Sequence, residues 1–244
     1  MLRLRPSSAA STPHRPASYF HTQADLDRAI KTLARRDPRL RDALAATGMP
    51  ALRRREPGFA GLAQIIVGQM LSTASANAIW ERVRGAFDPF HHDIVRRATV
   101  TQLCHLGLSV AKTTTLLRIA EEIQAERLDL EALRELDADE AHRALTALPG
   151  VGPWTADVYL LFCLGHSDAW PAGDVGIQSG VQLGLALDTR PTTKGLIALA
   201  EPWRPLRGAA AHLWWAYYRV ARRRASAAQE AASARVRPRR RTTT

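Results

Sequence analysis

Apolar residues recur at spacings of three and four between about Thr22 and Arg222, and few stretches alternate between apolar and polar residues. Such spacing is typical of amphipathic helices, so the pattern predicts an all-α protein. Three candidate helices begin near Asp25, near Pro38 and at Phe59. Two others cover Ala74–Phe87 and roughly 206–222.

Capping residues divide this helical region. Ser109 can cap one helix, and Asp137 with Glu140 has the spacing of a capping box. The helix after Asp137 ends at a Pro-Gly pair, and the next one starts at Pro153, because proline suits a first helical turn. The stretch 159–164 is apolar on all sides, which favours a central buried helix. A strand is the competing interpretation, but no neighbouring strand pattern would complete a sheet.

The two ends of the chain differ in composition from the region between them. Serine, proline, alanine and arginine dominate 1–21, and alanine, serine and arginine dominate 223–244. We therefore expect a disordered basic arm, a folded domain over 22–222 and a disordered arginine-rich tail. Most of the formal net charge of +11 falls on these ends. Basic ends can attract phosphate, although a solvated tail without a partner is the alternative, so charge only permits DNA binding.

Cysteine use and hydropathy argue against several classes of protein. Cys104 and Cys163 lie far apart in apolar stretches, which suits reduced core thiols. Without a C-x-x-C pair, a zinc or iron-sulfur site is not expected. No apolar run approaches the ~20 residues of a membrane span, and the N-terminus lacks the apolar region of a secretory signal. We therefore expect a cytoplasmic protein with no membrane partner.

The segment 148–156, L-P-G-V-G-P-W-T-A, joins two predicted helices through a short turn with two glycines. Glycine lets another backbone approach closely, so the amides of Gly150 and Gly152 can point at a phosphate without regard to the base. A structural turn between two helices is the alternative interpretation.

This hairpin and a second motif resemble a known family. About twenty residues after the hairpin, W-P-A-G-D-V-G-I-Q contains Pro171, Gly173 and Asp174. The pair resembles the DNA glycosylase superfamily that is named for its helix-hairpin-helix and its Gly/Pro-rich stretch with an aspartate. F-A-G-L-A-Q-I-I-V-G-Q-M-L-S, G-L-S-V-A-K and W-R-P-L-R-G-A-A-A-H-L-W-W also match, so the resemblance covers roughly 55–220. It is closest to DNA-3-methyladenine glycosylase II and implies a two-lobed helical bundle.

The resemblance also implies which reaction to expect. Members that cut the DNA strand carry a lysine where this chain has Trp154, so we expect hydrolysis of the base alone, without lyase activity. A member with an iron-sulfur cluster would carry four cysteines after its last helix, whereas this chain has none after Cys163. Only a short predicted helical segment precedes Phe59, so we expect the compact form, without the extra N-terminal α/β domain of the larger bacterial enzymes.

Asp174 is the candidate catalytic residue. A fixed carboxylate beside the sugar stabilises the positive charge that develops there and can orient or deprotonate water. The alternative is that Asp174 only caps a helix from Val175 to about Leu187, and the two roles are compatible.

Aromatic residues are expected to line the pocket, because an alkylated purine is cationic and gains ~0.5–2 kcal/mol over an indole ring. The resemblance places Trp154 and Trp214 there. Neighbouring helical residues point about 100° apart, so only one of Trp214 and Trp215 can face the pocket, and we choose Trp214. Tyr159 either lines the pocket or belongs to the core.

The resemblance implies DNA contacts from the hairpin and from a loop after the Phe59 helix. The loop contains Gln69 and Met70, and Met70 stands where the family inserts an apolar residue into the base stack. A core methionine is the alternative. The hairpin residues expected to contact DNA are Gly150, Val151, Gly152 and Thr155. Three glycines that share one face after Asp174 indicate close approach by a helix or by DNA: Gly176, Gly180 and Gly184.

The sequence therefore predicts a monofunctional DNA glycosylase that removes alkylated purines of the 3-methyladenine and 7-methylguanine type from duplex DNA by base flipping, which initiates base excision repair. The alternative is a non-catalytic helix-hairpin-helix DNA-binding protein. A glycosylase/lyase ranks last, because the nearest lysines, Lys112 and Lys194, lie outside the motif. We expect a monomer with no required cofactor and leave open a structural monovalent cation at the hairpin. The lesion range is not determined.

Overall fold

The computed structural model describes residues 19–236, with side chains as far as Glu230. Within this part of the chain there are twelve α-helices and no strand, apart from an isolated bridge between Tyr19 and His166. The prediction of an all-α fold is therefore confirmed.

The helices follow one another in the order α1 Gln23–Arg36, α2 Pro38–Thr47, α3 Gly58–Gly68, α4 Thr73–Ala86, α5 His92–Val95, α6 Val100–His105, α7 Val110–Gln124, α8 Ala138–Thr146, α9 Pro153–Tyr159, α10 Val175–Gly184, α11 Thr193–Ala200 and α12 Arg207–Val236. Short 3-10 helices cover Ala132–Glu135 and Glu201–Trp203, and a π-helical turn covers Leu160–Leu164.

The capping residues mark the helix starts that the sequence predicts. The Ser109 side chain accepts a hydrogen bond from the amide of Lys112 at the start of α7. Asp137 and Glu140 form both hydrogen bonds of a capping box at α8, and Pro153 occupies the first turn of α9. These local contacts satisfy amide groups that a helix N-terminus leaves unpaired.

The apolar segment 159–164 is buried throughout, and it is helical rather than a strand. From Leu160 to Leu164 the helix is of the π type. The segment ends at Gly165, which adopts a left-handed conformation with φ of 83°. This buried helix therefore carries the hairpin helix α9 directly into the core.

The helices form two groups, as expected for a two-lobed bundle. In one group, α1, α2 and α10 pack against α12. In the other, α3 packs against α4, α7 and α9, while α5 and α6 pack against α7 and α8 packs against α9. The hairpin between α8 and α9 belongs to the second group and α10 to the first. The site described below therefore forms where the two groups meet.

The glycine face of α10 packs against α12. Of the two partners that the sequence leaves open, a helix or DNA, the structure therefore shows a helix. A Cβ atom at Gly180 would overlap the carbonyl oxygen of Trp214, and one at Gly184 would overlap the Trp214 ring. Gly176 lies next to Trp215. The small residues therefore serve the close approach of a helix.

The predicted boundaries of the folded domain are wrong at both ends. Phe20 lies before the predicted start at residue 22, yet it is only 2% exposed and its amide donates to the carbonyl of Gly165. Helix α12 continues to Val236, so 223–236 is helical and not a disordered tail. Alanine and arginine have high helix propensity, so a helix can continue without a buried face. The predicted arm over 1–18 and the end of the tail over 237–244 lie outside the described residues.

Both cysteines are free, as expected. Burial raises the pKa of the Cys163 thiol to about 12, so this side chain is a protonated core thiol. Among the described helices, none combines the length and the apolar character that crossing a membrane requires.

Candidate active site between the hairpin and helix α10

The hairpin connects the end of α8 to the start of α9 through a tight turn. The amide of Val151 donates to the carbonyl of Leu148 over 3.0 Å and closes this turn. Gly150 adopts a φ of 85°, and a Cβ atom there would overlap the side chain of Thr115. Gly152 has open space at the corresponding position. The turn therefore requires glycine at 150, and both glycines are exposed at the surface.

Two hairpin residues that we expected to contact DNA are buried. Val151 is 3% exposed, and its amide is already used in the turn. Thr155 is 2% exposed, and its hydroxyl accepts a hydrogen bond from Gln69 over 2.8 Å. The side chains of both residues therefore face the protein interior. The expectation is wrong for Val151, whose amide is also used, whereas a contact through the backbone of Thr155 stays a prediction. They hold the hairpin together and leave its surface to the glycines.

The Asp174 carboxylate lies at the start of α10 and is bound by two tryptophans. Its Oδ2 accepts a hydrogen bond from the indole of Trp154 over 2.8 Å. Its Oδ1 accepts one from the indole of Trp215 over 2.7 Å and one from the amide of Ile177 over 3.0 Å. Asp174 thus caps α10 as predicted, and the donors bound to its oxygens are neutral.

A cationic side chain lies within electrostatic reach of this carboxylate. Burial lowers the pKa of Arg53, the positive charge of Arg55 lowers it further, and the negative charge of Asp174 raises it. Arg53 forms no ion pair within the described residues. Asp174 therefore supplies the negative charge at the site, and Arg53 supplies positive charge close to it.

The structure places Trp215 at the site and Trp214 in the core, so the choice of Trp214 is wrong. Trp214 is fully buried, and its ring centroid lies 6.3 Å from that of Trp203. Its indole nitrogen has no partner among the described residues. The glycine face of α10 accommodates Trp214. Trp215 lies about 100° further round α12 and therefore points towards Asp174.

Tyr159 belongs to the core and not to the pocket. Its side chain is fully buried, and its hydroxyl accepts a hydrogen bond from the amide of Gly58 over 3.1 Å. Burial strongly raises the pKa of this hydroxyl. Tyr159 thus joins the hairpin helix to the start of α3, and the expectation that it binds substrate is wrong.

Phe162 and Arg55 extend the aromatic group at Trp215, and neither residue is predicted from the sequence. The ring centroids of Phe162 and Trp215 lie 5.2 Å apart, and the Arg55 guanidinium lies 6.0 Å from the Phe162 centroid. The Arg55 amide also donates to the carbonyl of Phe162 over 2.8 Å. Only the run of three arginines before α3 signals this contact in the sequence.

The loop after α3 presents Met70 to solvent. Met70 is completely exposed and adopts a φ of 56°, a left-handed conformation that is uncommon for a residue other than glycine. The alternative of a core methionine is therefore excluded. Gln69 is anchored, because its amide nitrogen donates to Thr155 and, over 3.4 Å, to the carbonyl of Gly150. The loop and the hairpin thus form one connected surface.

Lys112 secures the same loop from the other side. Its ammonium group donates to the carbonyls of Val67 over 2.8 Å and Gln69 over 2.7 Å. Burial lowers its pKa. These bonds satisfy carbonyl groups at the C-terminal end of α3, which a helix leaves unpaired. Lys112, the last residue of the G-L-S-V-A-K motif, therefore fixes the backbone carbonyls of the residues before and after Gly68.

Residues 63–205 match the model of the HhH-GPD superfamily base excision DNA repair proteins. The match covers more than half of the chain. The chain belongs to the HhH-GPD superfamily.

Relatives of this HhH-GPD protein include DNA glycosylases from several organisms. It is 26% identical to the DNA-3-methyladenine glycosylase of Bacillus subtilis over 81% of this chain and 70% of that protein. It is 34% identical to the probable bifunctional transcriptional activator/DNA repair enzyme AlkA of Mycobacterium tuberculosis over 61% of this chain. That match covers 31% of the mycobacterial protein, so the chain spans less than a third of it.

Solved structures of superfamily members share the fold. The 3-methyladenine DNA glycosylase of Schizosaccharomyces pombe, in complex with abasic DNA, is 26% identical, with a TM-score of 0.67 over 77% of this chain and 95% of that one. The DNA-3-methyladenine glycosidase of Bacillus halodurans is 28% identical, with a TM-score of 0.69 over 82% of this chain and 92% of that one. The predicted glycosylase fold is therefore confirmed.

One group of potential metal ligands occurs within residues 19–236. The ligand atoms of His91, His92 and Asp93 lie within 4.8 Å of one another. His91 caps the short helix α5, because its Nδ1 accepts a hydrogen bond from the amide of Asp93 over 3.3 Å. The group belongs to α5 and not to the hairpin of this HhH-GPD protein, and a monovalent cation at the hairpin stays a prediction.

Proposed function

We propose that this HhH-GPD protein is a monofunctional DNA glycosylase that hydrolyses the N-glycosidic bond of alkylated purines in duplex DNA. One observation carries the proposal: the two oxygens of Asp174 are held by the indoles of Trp154 and Trp215 beside the glycine hairpin. The names of its relatives and structural neighbours, which are DNA-3-methyladenine glycosylases, support the substrate class.

Asp174 acts on the sugar of the flipped nucleotide. Cleavage of the N-glycosidic bond gives the sugar the character of an oxocarbenium ion, and a fixed negative charge beside it lowers the barrier. The two indole donors hold the carboxylate in one orientation, so little reorganisation is needed during the reaction. The same carboxylate can orient the attacking water and accept its proton.

We infer that the rings of Trp154 and Trp215 also bind the base. A purine alkylated at N3 or N7 carries positive charge and is a good leaving group, so the chain needs no strong general acid. An indole face attracts such a cation by ~0.5–2 kcal/mol. Each of the two tryptophans thus has two roles, because its N–H positions the carboxylate while its ring binds the base.

The absence of lyase activity follows from the residue at the hairpin. A lyase of this kind attacks the sugar with an amine, and this chain has Trp154 at that position. Lys112, one of the two lysines nearest the hairpin in sequence, is bound to the carbonyls of Val67 and Gln69. We therefore expect that borohydride does not trap the protein on DNA containing a damaged base. A trapped adduct would contradict the monofunctional mechanism.

Base flipping is assigned to Met70. Extruding a nucleotide costs a few kcal/mol of stacking, and an apolar side chain that fills the gap offsets part of this cost. Met70 is the most exposed large apolar residue in the part of the chain that the structure describes. We propose that it enters the stack while the amides of Gly150 and Gly152 bind a phosphate. The protein is expected to act as a cytoplasmic monomer without a cofactor.

The test is release of free base from methylated duplex DNA by the wild-type protein and by Asp174→Asn. Asparagine is also a good N-cap, so the variant should fold and should still bind duplex containing an abasic site. Asp188→Asn is the control, since it makes the same change at an exposed carboxylate beyond α10. We expect release by wild type and Asp188→Asn and none by Asp174→Asn. Equal release by all three would remove Asp174 from its role. Binding without release by wild type would favour the non-catalytic DNA-binding alternative.

A further inference from the structure

Helix α12 continues past the site with a row of arginines on the face that carries Trp215. At about 100° per residue, Arg222 lies about 20° and Arg219 about 40° from the direction of Trp215, and Arg223 lies about 80° from it. We call Arg219, Arg222 and Arg223 the arginine stripe. Because Trp215 binds Asp174 over 2.7 Å, the stripe begins at the site itself.

The guanidinium groups of the stripe form no ion pair within the described residues, where other arginines pair with carboxylates. Arg222 and Arg223 are exposed, and Arg219 is half-buried. The Arg222 guanidinium lies 5.8 Å from the ring centroid of Tyr218. Contact with an aromatic ring steadies the side chain while its N–H groups remain available to an anion.

The stripe lies within electrostatic reach of Arg53, which is close to the site. Burial lowers the pKa of Arg219, and the nearby charges of Arg53 and Arg223 lower it further. Arg53 in turn lies within electrostatic reach of Asp174. Like charges held this close repel one another, and a bound polyanion removes that cost. The cluster therefore suits a partner with several negative charges in a row.

We propose that the arginine stripe binds the phosphates of the DNA strand that carries the flipped nucleotide. The proposal rests on the proposed function, because it takes duplex DNA as the partner. At 1.5 Å per residue, Arg222 lies about 10 Å along α12 from Trp215, which equals the rise of about three base pairs along a duplex axis. Helix α12 then contacts the flipped nucleotide through Trp215 and the neighbouring phosphates through the next two helical turns.

The opposite face of α12 supplies a matched control. Arg224 points about 180° away from Trp215, and its guanidinium donates to the carbonyl of Ala46 over 3.4 Å. It has the same charge as Arg222 and lies on the same exposed part of the helix. If α12 attracted DNA only through its overall charge, the two residues would contribute equally.

The experiment measures the affinity for a duplex with an uncleavable abasic-site analogue over a range of salt concentrations. Each phosphate contact adds about 0.9 to the slope of log affinity against log salt. We expect Arg222→Ala to lower this slope by about 0.9 and Arg222→Ala/Arg223→Ala by about twice that. Arg222→Lys, which keeps the charge, and Arg224→Ala should retain the wild-type slope. Equal slopes for Arg222→Ala and Arg224→Ala would overturn the proposal.

Failure of the stripe and failure of the proposed function give different results. If the wild-type protein releases methylated bases and the slope of Arg222→Ala equals that of wild type, only the stripe is wrong. If the slope falls as expected but no base is released, the stripe stands as a DNA-binding surface and the glycosylase assignment fails. Circular dichroism of each variant checks that the overall helix content equals that of wild type.

Discussion

Trp215 donates its indole N–H to Oδ1 of Asp174 over 2.7 Å, although the two residues are 41 positions apart in the chain. The bond joins the start of α10 to the face of α12 that carries the arginine stripe. It therefore fixes the proposed catalytic group relative to the proposed DNA surface, and the Trp154 bond fixes it relative to the hairpin.

Replacing Trp215 by phenylalanine should reduce base release while leaving the fold intact. An aromatic ring is kept, although a smaller one, but the hydrogen bond to a charged oxygen is lost, which is worth ~1.5–3 kcal/mol. If that bond positions the carboxylate in the transition state, single-turnover base release falls by about 10- to 100-fold. Trp214→Phe is the control, because the Trp214 nitrogen has no partner in the described part of the chain. It should lower thermal stability through lost packing and retain most activity. The reverse pattern would restore Trp214 as the pocket residue.

Replacing Met70 by alanine should leave stability unchanged, because the side chain is completely exposed. Loss of an inserted apolar group removes part of the few kcal/mol that offset unstacking, so excision from duplex DNA should fall by roughly 10-fold. Excision from the same sequence as a single strand, which needs no flipping, should change much less. Leu71→Ala, on the neighbouring and less exposed residue, serves as comparison. Equal losses on both substrates would show that Met70 does not act in flipping.

Gly180→Ala should destabilise the protein, since the added Cβ would overlap the carbonyl oxygen of Trp214 and force α10 away from α12. Overpacking against backbone costs ~1–3 kcal/mol. Gly85→Ala is the matched control, because that glycine is in α4 with open space around it. There alanine should stabilise the protein by ~0.5–1 kcal/mol through helix propensity. Urea unfolding of both variants measures the two effects, and a stabilising Gly180→Ala would contradict the tight packing of these helices.

His212 should make the protein less stable in mild acid. Burial lowers its pKa to about 4, below the ~6.5 of an unfolded histidine. The unfolded chain therefore binds the extra proton first, and stability declines as the pH falls from about 6.5 to about 4. His212→Asn removes the titration and keeps a donor for the carbonyl of Gly208, which His212 Nδ1 contacts over 2.8 Å. Between pH 7.5 and pH 4.5 the free energy of unfolding should fall by ~2–3 kcal/mol more for wild type than for the variant. An equal fall for both proteins would rule out this role for His212.

Much of the fold could be predicted from the sequence because local residues determine it. The caps at Ser109 and Asp137, the first-turn Pro153 and the capping role of Asp174 all depend on hydrogen bonds or backbone angles within a few residues. The helical tail was missed for a related reason. Our expectation of disorder rested on the composition after 222, which is rich in alanine, serine and arginine, and it neglected the helix propensity of alanine and arginine.

By itself, the sequence determined the family motifs, the helical fold and the position of the carboxylate at a helix start, since these are properties of short segments. Only the tertiary structure decided which indole binds Asp174, that Tyr159 and Thr155 are core residues, and that Arg55 and Phe162 lie beside the site. The physical reason is that helical periodicity tells which residues share a face but not which face meets which neighbour. That choice depends on the close approach of α10 and α12 at Gly180, a contact between segments distant in the chain.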